Sequence, residues 1–199
     1  MTRIKLCGLS RIADIEAVNE LMPEYVGFVF APKSKRYVSP AHAEKLRSIL
    51  RPEISAVGVF VDEKPENIYA LTSAGIIDIV QLHGQEDDKY ITHIRKLTGK
   101  IIIKAFTSGH IDEAEHSTAD YILLDSGAGS GAVFDWAGVK GIKRSYFLAG
   151  GLTADNVRRA IDELSPFAVD VSSGIETDGM KDREKMSAFV SAVRRENIS

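Results

Sequence analysis

At 199 residues, with 44% hydrophobic and 27% charged side chains, the chain has a globular composition and is long enough to bury a sizeable core. Its 25 basic and 28 acidic side chains leave a net charge of −3, which excludes a general electrostatic case for nucleic acid or an anionic membrane as partner. One cysteine, Cys7, excludes an internal disulfide framework and a multi-cysteine metal cage.

The first strand is expected over residues 4–7, followed by a helix over 10–21 with Ile12, Ile15 and Val18 on one face. A strand over 25–30 leads to a helix over 39–50, which starts with a Ser cap and Pro at its first position. Strand 55–61 precedes helix 64–74, strand 77–82 precedes helix 86–97, and strand 101–106 precedes helix 111–117. Strand 121–125 is followed by the weakest helix, 134–140. Strand 145–149 with helix 153–164 and strand 167–171 with helix 183–194 complete the series. Most of the strands are continuously apolar rather than alternating, as in parallel strands covered on both faces.

Eight strand–helix units in unbroken alternation predict an α/β fold. The count favours a single-domain (β/α)8 TIM barrel over residues 1–199 rather than an open doubly wound sheet, near the short limit for that fold. Thr98-Gly99-Lys100 and Lys143-Arg144 supply short returns at the amino ends of the strands. No apolar signal segment opens the chain, and no run approaches the ~18 apolar residues of a membrane span. A cytoplasmic protein without a membrane partner is expected.

In such a barrel the active site lies where strands end and helices begin. Those exits carry Cys7, the basic segment 33–36, Asp62, His83, residues 106–108, Asp125, Gly150-Gly151 and the stretch from Asp170 to Gly174. The opposite ends carry little that is reactive, and that asymmetry points to an enzyme. A thiol at one strand end and a carboxyl at another, facing one pocket, form the layout an acid–base isomerase needs. For Cys7 the bland alternative is apolar packing, and to act as a base its thiol needs nearby positive charge, from Arg36, a bound phosphate or Lys5.

Exits seven and eight, Leu148-Ala149-Gly150-Gly151-Leu152-Thr153 and Val171-Ser172-Ser173-Gly174-Ile175-Glu176, read as a phosphate site. Glycines let backbone N–H groups approach an anion, and hydroxyls add donors. The run Ser126-Gly127-Ala128-Gly129-Ser130-Gly131 lacks the dinucleotide fingerprint and is expected to be a mobile or substrate-covering loop. Arg36 is suited to gripping a carboxylate through two parallel hydrogen bonds, while Lys33 and Lys35 are expected in solvent. His83 either polarises substrate or hydrogen-bonds in the core. Lys104, between Ile103 and Ala105, is expected to fill a barrel layer rather than to form a Schiff base. The remaining histidines show no metal-ligand spacing.

These residues together resemble the phosphoribosylanthranilate isomerase family of tryptophan biosynthesis. The match runs nearly end to end, through Lys5-Leu6-Cys7-Gly8-Leu9, Gly27-Phe28-Val29-Phe30, Ser34-Lys35-Arg36-Tyr37-Val38-Ser39-Pro40 and Val80-Gln81-Leu82-His83-Gly84. It continues through Leu124-Asp125, Gly129-Ser130-Gly131, Phe134-Asp135-Trp136, Leu148-Ala149-Gly150-Gly151-Leu152, Asn156-Val157, Asp170-Val171-Ser172-Ser173-Gly174-Ile175-Glu176 and Gly179-Met180-Lys181-Asp182. Any one of these segments is weak, whereas their order and spacing are highly specific. The resemblance implies a (β/α)8 barrel that converts N-(5-phosphoribosyl)anthranilate to 1-(2-carboxyphenylamino)-1-deoxyribulose 5-phosphate with neither metal nor organic cofactor. It implies Cys7 as general base, Asp125 as general acid, Arg36 as the holder of the anthranilate carboxylate, and a phosphate site at Gly150-Gly151 and Ser173-Gly174. Asp170 is implied as a positioning group for substrate. The partner is then a small phosphorylated molecule, and the chain a monomer or homodimer. Rival readings are another phosphosugar isomerase or epimerase, or a non-catalytic barrel binding a phosphorylated metabolite.

Overall fold

The computed structural model describes residues 1–107, 109–125, 139 and 141–195. Eight strands close into a parallel barrel in sequence order: β1 (Arg3–Cys7), β2 (Tyr25–Val29), β3 (Ser55–Phe60), β4 (Ile79–Leu82), β5 (Ile101–Thr107), β6 (Tyr121–Asp125), β7 (Tyr146–Ala149) and β8 (Ala168–Val171). Closure is made by β1, which pairs Lys5 with Tyr25 on one side and with Asp170 on the other. The helices are α1 (Ile12–Leu21), α2 (Pro40–Ile49), α3 (Pro65–Ser73), α4 (Asp88–Thr98), α5 (Ile111–His116), α6 (Ala154–Leu164) and α7 (Arg183–Arg194). Of the expected helix over 134–140 only Val139 is described, and it is buried in the core. The glycine-rich run 126–131 lies outside the described residues.

Alternation of side chains along each strand divides the core into two shells. One face points inward, where Val57, Ile79, Ile103, Leu123, Phe147 and Ala168 pack with Tyr25, Tyr121 and Phe167. The other meets the helices, so that Leu6, Phe28, Val80, Ile102, Ile122 and Val169 lie against Ile15, Leu46, Ile68, Ile91, Val157 and Phe189. Both faces are dry, which is why the strand sequences are apolar throughout. Each fully buried Leu, Ile or Phe contributes about 1.5–3 kcal/mol relative to exposure.

Capping chemistry fixes where the helices begin. Ser39 caps α2 by accepting the N–H of His42, with Pro40 in the first turn. Asp87, not the expected start at 86, caps α4 through the Tyr90 N–H. α1 starts at Ile12 rather than at the expected residue 10, with Arg11 as its cap, and the Asp14 carboxylate accepts from both the Ser10 and Arg11 N–H groups. Ile15 and Val18 of α1 are buried as expected, but Ile12 is 57% exposed, so the buried face starts one turn later. Lys104 also departs from expectation. It lies on the helix-facing side of β5 with Ile102, where its Nζ donates to Gly84 O at 2.7 Å and Glu86 Oε2 at 3.0 Å. The lysine inside the barrel is Lys5, fully buried.

An unexpected element follows β8. A single 3₁₀ turn over Ser173–Ile175 leads into an antiparallel hairpin, β9 (Glu176–Thr177) and β10 (Met180–Lys181), before α7. Its turn residues Asp178 and Gly179 both have positive φ, 52° and 77°, the signature of a type I′ hairpin. The hairpin is tied down by Thr177 Oγ1 donating to Asp182 Oδ2 at 2.6 Å, by Lys185 Nζ on Glu176 O, and by Arg11 Nη2 on Lys181 O. It stands beside the carboxyl end of β8, at the mouth of the barrel. Among the described residues, no helix is long and apolar enough to cross a membrane.

Candidate active site

The carboxyl ends of the strands surround a cavity of about 440 Å³, within the range of small-molecule sites. Its lining includes Cys7, Arg36, His83, Asp125, Gly150, Gly151, Asp170, Ser173 and Gly174. They come from β1, β6, β8 and the segments that follow β2, β4, β7 and β8. Val29, Ala31, Val59 and Val61 supply an apolar wall. Asp62 of the third exit does not reach the cavity. Its backbone N–H and carboxylate instead bind Glu86 and the Gln85 N–H, so it is a structural link between the β3 and β4 exits.

Cys7 is 8% exposed and ends β1. Burial pushes its thiol up, the Lys5 ammonium pulls it down, and the Asp170 carboxylate pushes it up again; the net direction is up. That direction favours the thiol over the thiolate near neutral pH. Lys5 Nζ donates to Asp170 Oδ2 at 2.8 Å. For Lys5, burial pulls the ammonium down, but Asp170 and then Cys7 outweigh it, and the net direction is up. The other carboxylate oxygen, Asp170 Oδ1, is buried and has no hydrogen-bond partner among the described residues, in a side chain that lines the cavity.

Arg36 is held by a carboxylate of the protein. Its Nε and Nη2 donate to Glu176 Oε1 and Oε2 at 2.6 and 2.9 Å, a bidentate pair that leaves Nη1 unused. Lys181 Nζ donates to the same Glu176 Oε1 at 2.7 Å and to Ser172 O at 2.9 Å. Ser172 Oγ in turn donates to Cys7 O at 3.0 Å. The Glu176 carboxyl, whose side chain is 6% exposed, is pushed up by burial, yet the hydrogen bonds of Arg36 and Lys181 outweigh that and bring it down to about 2. Gly8 is required by this packing. Its φ is 78°, and a Cβ there would stand 2.4 Å from Arg36 Cδ.

His83 Nε2 lies 3.7 Å from Asp125 Oδ2, and its Nδ1 lies 3.1 Å from Gln81 Nε2. If the Gln81 amide donates to Nδ1, a neutral ring carries its hydrogen on Nε2, the nitrogen nearer Asp125. Burial pulls His83 down, Asp125 opposes, and the net direction is down, so the imidazole is neutral near pH 7.

The loops after β7 and β8 meet at one side of the mouth. Gly150 and Gly151 have φ of 92° and 64°. Gly174 packs so tightly on the neighbouring loop that a Cβ would lie 1.9 Å from Leu152 O. The Asn156 side chain braces the first loop, donating to Gly151 O and accepting the Thr153 N–H, both at 2.9 Å.

The family model described as N-(5'phosphoribosyl)anthranilate (PRA) isomerase matches residues 4–192. The chain belongs to this family. The N-(5'-phosphoribosyl)anthranilate isomerase of Clostridium acetobutylicum is 44% identical over 98% of this chain and 99% of its own. A phosphoribosylanthranilate isomerase solved in complex with reduced 1-(o-carboxyphenylamino)-1-deoxyribulose 5-phosphate superposes with a TM-score of 0.86 at 37% identity, covering 98% of this chain and 100% of the other. Monomers generated from the dimeric isomerase of Thermotoga maritima superpose with a TM-score of 0.87 at 38% identity, again over 98% and 100% of the two chains.

The sequence reading missed Gln81, Glu176 and Lys181, and mentioned Lys5 only as a possible helper. Glu176 and Lys181 are brought together by the hairpin, as a directly paired couple across its two strands. The Asp178-Gly179 dipeptide was the signal for that hairpin, since both residues tolerate the positive φ of a type I′ turn. Nothing local marks Gln81, which reads as one more residue of a buried strand. The family motif 129–131 and most of 134–140 lie outside the described residues.

Proposed function

We propose that this chain catalyses the Amadori rearrangement of N-(5'-phosphoribosyl)anthranilate to 1-(2-carboxyphenylamino)-1-deoxyribulose 5-phosphate in tryptophan biosynthesis. The observation that carries the proposal is the convergence of Cys7, Asp125, Arg36 and both glycine loops on one cavity of a family member. The phosphate sits against Gly150-Gly151 and Ser173-Gly174. The anthranilate carboxylate is met by the outer edge of Arg36, because Glu176 already occupies the Nε/Nη2 edge. Glu176 thus aims the guanidinium rather than competing for it. The sugar is then stretched across the mouth of the barrel with both ends fixed, which brings the reacting carbons to the catalytic groups.

Asp125 acts as the acid. It protonates the furanose ring oxygen, and the aminal opens to a Schiff base. Neutral His83, with its Nε2 toward Asp125, orients that carboxyl group. Cys7 acts as the base, as its thiolate, and removes the C2 proton. The resulting enolamine tautomerises to the ketone. Asp170 positions the sugar by accepting a hydroxyl hydrogen bond at its unpartnered Oδ1, a site that is otherwise costly to leave bare. The whole of residues 1–199 is taken as one barrel domain, acting as a monomer or homodimer on a small phosphorylated substrate without a nucleic-acid partner. A cytoplasmic location suits a mechanism that needs Cys7 reduced.

The test is a fluorescence assay of the purified protein with the anthranilate aminoaldose, run beside simple pentose phosphates. Turnover of the aminoaldose alone is expected. Binding without turnover, or turnover of pentose phosphates instead, would contradict the proposal.

A further inference from the structure

Beneath Cys7 the barrel buries a charged pair to which the acid–base scheme gives no charge role. Lys5 precedes Cys7 by two residues on β1, so both side chains project to the inward face. Lys5 has no exposed surface, and its Nζ donates to Asp170 Oδ2 at 2.8 Å, across the β1–β8 seam where the two residues are register partners. Desolvating two charges is expensive, and apolar side chains of similar volume pack an interior at least as well. Packing therefore does not account for an ammonium at this place. Its location does, because it stands directly under the thiol that must become an anion.

We propose that Lys5, anchored by Asp170, is a positioning residue that supplies the fixed positive charge under Cys7 and so makes its thiolate available as the base. The inference rests on the reading of Cys7 as the base. Other charged or titratable groups surround the thiol: Arg36 from the β2 exit, Glu176 and Lys181 from the hairpin, His83 from the β4 exit, Asp125 from β6 and Asp170 from β8. Arg36 and Lys181 share Glu176 as counter-ion and are turned toward it. Lys5 is left as the cation that acts most strongly on the sulfur, ahead of the opposing Asp170 carboxylate. The proton balance is simple. The thiol proton leaves to solvent, the substrate C2 proton replaces it, and Lys5 stays an ammonium throughout.

Cys7 is the only cysteine in the chain, so its alkylation rate by iodoacetamide against pH reads its ionisation without a competing thiol. In Lys5→Met the alkylation midpoint is expected to rise by about one to three pH units, the usual effect of an opposite charge close by. That variant leaves Asp170 without its cation, so Lys5→Met/Asp170→Asn is run beside it. There the midpoint is expected to rise by less, because a stronger cation and a weaker opposing anion leave together. A midpoint unchanged or lowered in the double variant, with native near-ultraviolet circular dichroism, overturns the inference. If neither variant folds, the unaltered protein still decides. With ¹³C-labelled cysteine and lysine, the Lys5 Cε resonance should move at the pH where Cys7 Cβ titrates, and a Lys5 resonance that stays still there overturns the inference. Turnover retained by Cys7→Ala would instead remove the reading on which it rests, so the two failures are distinguishable.

Discussion

The two sides of the barrel mouth are built on opposite plans. The side proposed to hold the phosphate, from the ends of β7 and β8, is made of backbone: Gly150, Gly151 and Gly174 meet where side chains are missing. The side around Cys7, the proposed base, from β1, β8 and the hairpin, is made of charges: Lys5 with Asp170, and Arg36 and Lys181 with Glu176, in contacts of 2.6 to 2.8 Å. Ser172 joins them, accepting from Lys181 and donating to Cys7 O. The difference teaches what each side is sensitive to. Adding atoms disturbs the first, whereas removing or neutralising charge disturbs the second. Reagents of the two kinds should therefore separate phosphate binding from chemistry and carboxylate recognition.

The largest expected effect lies between the two sides. Asp125→Asn keeps the shape of the side chain but has no proton to give, so kcat is expected to fall by about 10²–10⁴, the usual worth of a positioned acid. Stopped-flow turnover and product-analogue binding together check it, and near-normal kcat would remove Asp125 from the mechanism. Arg36→Met should come next, weakening binding of a carboxylated product analogue by about 10²-fold with a smaller effect on kcat. Calorimetry showing unchanged affinity would mean the carboxylate is held elsewhere.

On the phosphate side, Gly174→Ala forces a Cβ into the Leu152 carbonyl and should spread the two loops. KM is expected to rise by about tenfold, or ~1.4 kcal/mol, with inorganic phosphate losing its competition in parallel. If KM rises while phosphate inhibition is unaltered, the loops do not hold the phosphate. The smallest effect is reserved for Glu176→Gln, which keeps one hydrogen bond to Arg36 but loosens its aim. A several-fold rise in KM with little change in kcat is the expected pattern, read from steady-state kinetics.

Glu176 also sets a pH dependence. Its folded carboxyl sits at about 2 against an ordinary 4.5, so the folded state favours the carboxylate. Its stabilisation is fully present above about pH 4.5 and is lost as pH falls toward 2. Denaturant titrations across that window should show a shallower acid loss in Glu176→Gln than in the parent. Equal slopes would show that the clamp contributes nothing to folding.

The barrel was legible because its cause is repetitive. Eight apolar runs separated by helix-length amphipathic segments leave little choice of architecture. Strand ends shifted by one or two residues, as at β3, where Val61 is 46% exposed, because apolar residues at a strand exit also line the cavity. The functional side chains at strand exits were legible for the same reason that glycine loops were: position in the fold is almost determined by position in the chain. The charge networks were not. Lys5 and Asp170 are 165 residues apart, and Arg36 and Glu176 are 140 apart, so no local pattern announces either pair. Lys104 shows the limit from the other side, since a lysine flanked by apolar residues reads alike whether it faces into the barrel or out toward Glu86.

The proposed mechanism turns on removal of the substrate proton by the Cys7 sulfur. The most direct measurement is single-turnover kinetics of Cys7→Ala with the anthranilate aminoaldose, beside its affinity for the reduced product analogue. With Cys7 as base, affinity is expected within a few-fold of the parent and the rate lower by at least about 10²-fold. A rate close to the parent, with the same affinity, would contradict it.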